Sequence, residues 1–85
     1  MHEYHLAESV LKSILEKTKN MPGIKGITLI RLKIGDLKMV SKETFSETFK
    51  QVAKGTLCEG ARLDIEEVMG DVLVVKDIEG EFLDK

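Results

Sequence analysis

The stretch Ile27-Thr-Leu-Ile-Arg-Leu-Lys-Ile-Gly35 decides how this chain folds. Thr28, Ile30, Leu32 and Ile34 fall on one side of an extended backbone, and Leu29, Arg31 and Lys33 on the other. Successive side chains of a strand point to opposite faces, so this pattern describes a strand with one apolar face and one mostly solvated face. Upstream, Leu6, Ala7, Val10, Leu11, Ile14 and Leu15 recur at steps of three and four with Glu8, Lys12 and Glu16 opposite, the pattern of an amphipathic helix. Lys17 and Lys19 suit the negative end of its dipole, and Pro22-Gly23 stops it near Asn20.

Downstream of the strand, Ser41 is placed to cap a second, shorter helix in which Phe45, Phe49, Val52 and Ala53 share one face, with Gly55 as its stop. Ala61, Leu63 and Ile65 then alternate with Arg62, Asp64 and Glu66, until Val68 breaks the phase at a strand end or bulge. Gly70-Asp71 in Met69-Gly-Asp-Val72 suits a type II′ turn, so 69–72 is expected to be a tight hairpin turn into a third strand, Val72–Ile78. The expected fold class is α+β, with two helices packed on one face of a three-stranded mixed sheet in the order helix-strand-helix-strand-strand. The first two strands are joined by a right-handed crossover and run parallel. The other sheet face, with Arg31, Lys33, Arg62 and Glu66, is left to water or a partner.

With 85 residues the chain has room for one domain, 1–85, and a domain of that size buries only about 60 to 65% of its unfolded surface. A net charge of -2 with scattered lysines supplies no concentrated basic face for nucleic acid. The apolar runs are far too short to cross a membrane, and no basic stretch followed by an apolar core opens the chain. One cysteine, Cys58, closes no intramolecular disulfide and builds no structural zinc site, which points to a reducing cytoplasm. Glu59 beside it would raise its pKa, and no histidine is near in sequence to activate it. No phosphate-cradling loop and no Ser/His/Asp arrangement is present, so the sequence offers no apparatus for an enzyme. The third strand could pair between molecules at a sheet edge, although Lys76, Asp77 and Glu79 discourage it; a monomer or weak dimer is expected.

The remaining candidate is Met1-His-Glu-Tyr-His5, which holds both histidines of the chain. An α-amino group with a pKa near 7.7 to 8.0 is partly deprotonated at neutral pH, and one amide nitrogen separates it from the His2 imidazole. Those three nitrogens can close chelate rings on one ion, and a planar nitrogen set suits Ni(II) or Cu(II). Within a helix His5 lies at i+3 from His2 and brings a fourth nitrogen within reach, while Glu3 offers an oxygen or an outer acceptor. The alternative is that acidic Glu3 complements a helix dipole and the histidines are solvated surface. Asp36, next to Gly35, either caps backbone amides in a turn or meets a partner.

Three stretches, MHEYHLAESVL (1–11), RLKIGDL (31–37) and GTLCEGARLDIEEV (55–68), resemble the HypA-type nickel insertion proteins, and VKDIEGEF (75–82) resembles that family's closing strand. These proteins help to deliver nickel during maturation of [NiFe] hydrogenase and, in some organisms, urease. The resemblance implies a metallochaperone holding Ni(II) through the amine and backbone nitrogens near Met1 and the imidazole of His2. Glu3 would influence that site or the docking of a HypB-type GTPase, and a nickel-enzyme large subunit is the other implied partner. The family has a zinc-binding module with two CxxC pairs between its second and third strands, where this chain has 69–72. No structural zinc is therefore expected, and His5 becomes a candidate local replacement for a ligand from that module. A second function stays open: a zinc-free interaction or regulatory module that delivers no metal.

Overall fold

The computed structural model describes residues 2–83, with His2 described by its backbone alone. Helix α1 (His2–Thr18) leads into strand β1 (Ile24–Gly35), a 3-10 turn (Asp36–Lys38), helix α2 (Lys42–Val52), strand β2 (Arg62–Val68) and strand β3 (Leu73–Phe82). The element order is the expected one. Ser41 caps α2 as its position suggested, accepting the Thr44 N–H at 3.0 Å through its hydroxyl.

Strand β1 lies in the middle of the sheet, parallel to β2 and antiparallel to β3. This corrects the hairpin expected at 69–72, because β2 and β3 do not pair with each other but flank β1 on opposite sides. The segment 69–72 crosses over the end of β1 instead. Two strand spacings are about 10 Å, a distance that four residues of at most ~3.5 Å each can span. The central place falls to β1 because Ile27, Ile30, Leu32 and Ile34 are all buried, whereas β2 and β3 carry four charged residues each and tolerate an edge.

A second correction concerns Thr28. The β1–β3 register slips between Ile27 and Leu29, and this bulge turns Ile27 into the core and leaves Thr28 exposed, its hydroxyl donating to the Glu79 carbonyl at 3.2 Å. From Ile30 onward the alternation is as the sequence suggests. Both helices pack against that apolar face: Ala7, Val10, Leu11 and Ile14 of α1 meet Phe45 and Phe49 of α2 over β1 and Ile65. The two phenylalanine rings lie nearly parallel with centroids 6.3 Å apart, and truncating either to alanine would cost about 3 to 5 kcal/mol.

Candidate functional site

The opening turn of α1 is one of two places where the sequence put function. The helix begins at His2, and the first N–H groups of any helix have no acceptor within it. The backbone nitrogens of His2, Glu3 and Tyr4 are thus uncommitted to the helical ladder, so a metal ion can engage them without breaking a helical hydrogen bond. Glu3 is half-buried in this turn, Tyr4 is 45% exposed and His5 is exposed. The Tyr4 and His5 rings meet edge to face with centroids 6.4 Å apart. The helix runs unbroken from His2 through His5, which places their backbones one turn apart on it. Met1 and the His2 side chain, the core of the expected nitrogen set, lie outside the described residues. Among the described residues no three His, Cys, Asp or Glu side chains gather as a metal cage.

The second place, Asp36, sits where β1 meets the crossing segment. Its Oδ1 accepts the Gly70 N–H at 2.9 Å, the amide-capping alternative of the sequence reading. Three further links close the same corner. The Leu37 N–H donates to the Gly70 carbonyl at 3.0 Å, the Gly35 N–H to the Val72 carbonyl at 2.8 Å, and Lys38 Nζ lies 2.9 Å from Asp71 Oδ1. A Cβ on Gly35 would stand 2.1 Å from the Gly70 carbonyl oxygen, so only glycine fits beneath the crossing. Gly70 has φ +105°, a region that favours glycine. The sequence marked Gly70 as a turn residue but gave no sign that Gly35 and Gly70 touch, since their contact depends on β3 lying beyond β1.

Cys58 is buried, and desolvation pushes its thiol up to about 11. The direction agrees with the sequence expectation but the cause does not: burial raises the thiol, while the Glu59 carboxylate is occupied accepting the Gly55 N–H at 3.1 Å. A thiol held protonated in this way is a poor nucleophile at neutral pH.

The open sheet face holds a charge cluster that sequence pattern alone did not pair. Arg31 in the middle strand reaches Asp77 at 2.6 Å and Glu79 at 3.0 Å on β3, and its Nε lies 3.9 Å from Asp64 on β2. Hydrogen bonds with Asp77 and then Glu79 raise the pKa of a guanidinium that is already always charged. Across-strand register could have found these partners, had the order β2-β1-β3 been known.

The family model for the hydrogenase/urease nickel incorporation metallochaperone HypA matches residues 1–74. The chain belongs to the HypA family. It is 36% identical over 70 residues to the hydrogenase maturation factor HypA of Methanocaldococcus jannaschii, an alignment covering 78% of this chain and 56% of that one. Against HypA of Chlorobaculum tepidum it is 43% identical over 70 residues, covering 82% of this chain and 61% of the relative. The chain therefore spans less than two thirds of the length of these HypA relatives. The solution structure of the Ni metallochaperone HypA from Helicobacter pylori shares the fold, with a TM-score of 0.66 at 19% identity over 99% of this chain and 95% of that one. HypA proteins are maturation factors and metallochaperones, not enzymes. No helix among the described residues is long and apolar enough to cross a membrane.

Proposed function

We propose that this chain binds Ni(II) as cargo at its N-terminus and passes it to a partner protein during [NiFe] hydrogenase maturation in the cytoplasm. The observation that carries this reading is the family match, which begins at the Met1-His-Glu stretch itself. The donor chemistry supports it. The α-amine of Met1, the amide nitrogen of His2 and its imidazole form a nitrogen set suited to Ni(II), and the helix that starts at His2 leaves the His2 amide without a helical acceptor. Glu3, half-buried beside them, holds an outer position or meets a HypB-type GTPase; a nickel-enzyme large subunit is the other recipient. Asp36, with one carboxylate oxygen on Gly70, contributes to docking only through what that bond leaves free. No structural zinc is expected, since a single cysteine cannot make up a thiolate site for it.

Calorimetric titration with Ni(II) tests this reading. One ion is expected per chain beginning at Met1, and His2→Ala is expected to abolish binding with the melting curve unchanged. Retained affinity in His2→Ala would refute the site. His5→Ala separates the two histidines, because an unaltered Ni(II) absorption spectrum would exclude His5 as a ligand. A second reading, an interaction module without metal delivery, is favoured by one observation: Leu37, Met39 and Met69 are 65%, 86% and 89% exposed around the crossing segment. In that case a maturation factor would be captured equally well by the wild type and by His2→Ala, with or without nickel.

A further inference from the structure

Strands β2 and β3 each pair only with β1 among the described residues, so each leaves one row of backbone N–H and C=O groups for another partner. The β2 edge is set apart by the groove beside it. A cavity of about 440 Å³ is lined by Leu63, Asp64 and Ile65 of β2 and by Lys42, Glu43, Ser46 and Glu47 of α2. It shares Ser46 and Leu63 with a second cavity of about 280 Å³, which continues to Lys50 and Arg62. The strand edge therefore lies open along the flank of α2.

We propose that this edge pairs with the same edge of a second copy, antiparallel about a two-fold axis at Asp64, to form a six-stranded sheet. Charge complementarity selects both the occupant and the register. In a symmetric antiparallel pair, opposite residues share a face, so the axis must pass through a residue. With Asp64 on the axis, Arg62 faces Glu66 of the partner subunit and Glu66 faces Arg62 of the partner subunit, while Leu63 and Ile65 face each other twice on the side of the core. Opposite charges and apolar pairs at such positions stabilise a sheet. Moving the axis to Ile65 sets Asp64 against Glu66 of the partner subunit, and moving it to Leu63 leaves only Arg62–Asp64 of β2 within the pairing. The two Asp64 carboxylates meet on the axis, a repulsion that Arg31, with its Nε 3.9 Å from Asp64 and its other nitrogens on Asp77 and Glu79, offsets only in part.

The helix layer agrees. The cavity that contains Asp64 also contains Lys42, Glu43, Ser46 and Glu47, so the same axis runs past the first half of α2, where acidic and basic side chains both stand. Strand β3 lacks this self-complementarity, since Asp77, Glu79 and Glu81 stand against a single basic residue, Lys76.

Sedimentation equilibrium of the full chain at about 0.1 to 1 mM tests the pairing. The wild type is expected to dimerise, and Arg62→Glu or Glu66→Arg to raise the dimer dissociation constant about tenfold or more, since each sets like charges opposite twice. The double variant R62E/E66R restores both pairs in reverse and is expected to dimerise again. An Asp64→Cys variant offers a readout independent of charge: on the axis, opposite Cβ atoms stand about 5 Å apart, so oxidised glutathione should link it into a covalent dimer. Glu79→Cys on β3 should stay monomeric, and native Cys58 is buried. A wild type that is monomeric at 1 mM, a dimer indifferent to Arg62→Glu, or equal cross-linking of Asp64→Cys and Glu79→Cys would each overturn the proposal. Should the edge instead take up an extended peptide from another protein while the chain stays monomeric, a second copy is the wrong occupant.

Discussion

The corner at Gly35–Asp36 and the opening turn of α1 treat backbone amides in opposite ways. At the corner the N–H groups of Gly35, Leu37 and Gly70 each have an acceptor, at 2.8, 3.0 and 2.9 Å, and no space remains for even a methyl group on Gly35. At the start of α1 the first amides have no helical acceptor, and the adjoining side chains of Tyr4 and His5 are exposed. Polar groups that satisfy one another hold a fold together; polar groups left free are available to a ligand. In the proposed reading the first region carries structure and the second carries chemistry.

The contrast breaks most visibly at Gly35. Gly35→Ala would place a Cβ 2.1 Å from the Gly70 carbonyl oxygen and 2.8 Å from the Val72 nitrogen, both rigid backbone atoms. A loss of about 3 kcal/mol is expected in urea denaturation; a loss below ~1 kcal/mol would show that the crossing can lift away from β1.

Buried Cys58 gives the next largest effect. Its thiol is pushed from an ordinary value near 9 to about 11 in the folded chain, so the unfolded state ionises first as pH rises. The contribution is complete below pH 9 and falls as pH climbs through 11, by as much as about 2 kcal/mol. The difference in pH slope between wild type and Cys58→Ala isolates this group. Parallel slopes would mean that the thiol is reached by water.

Asp36→Ala removes one acceptor from the corner while leaving the backbone bonds. Because its partner amide is exposed, the expected cost is about 1 kcal/mol. No change would take Asp36 out of the structural role and return it to partner docking. Smallest of all, His2→Ala should alter stability by less than about 0.5 kcal/mol, and addition of EDTA should leave the melting temperature unchanged because no thiolate set exists to hold zinc. A chelator-induced drop would show that the fold depends on a bound metal.

Where periodicity is strong, the sequence told the fold directly. The helical face from Leu6 to Leu15, the strand ending at Gly35, the Ser41 cap and the Phe45–Phe49 pair all follow from local spacing. The position of β3 did not follow, because a short Gly-Asp connection between two strands is equally compatible with a hairpin and with a crossing. What decides between them is non-local: the strand with four buried aliphatics takes the centre, and the charged ones take the edges. The bulge at Thr28 was hidden for the same kind of reason, since a residue extra to the ladder is visible only against its partner strand. Of the candidate site, Met1-His-Glu was legible as donor chemistry. The Asp36 bond to Gly70 was legible only as an amide cap without a named amide.

The claim that the opening turn is the nickel-binding region is tested most directly by Ni(II) titration of two matched proteins, one beginning at Met1 and one carrying a few extra residues before it. The extension blocks the α-amine and leaves every side chain in place. One equivalent of Ni(II) is expected to bind the first protein, with binding lost from the second and both melting alike. Equal affinity in the two would contradict an amine-centred site and move the metal elsewhere on the chain.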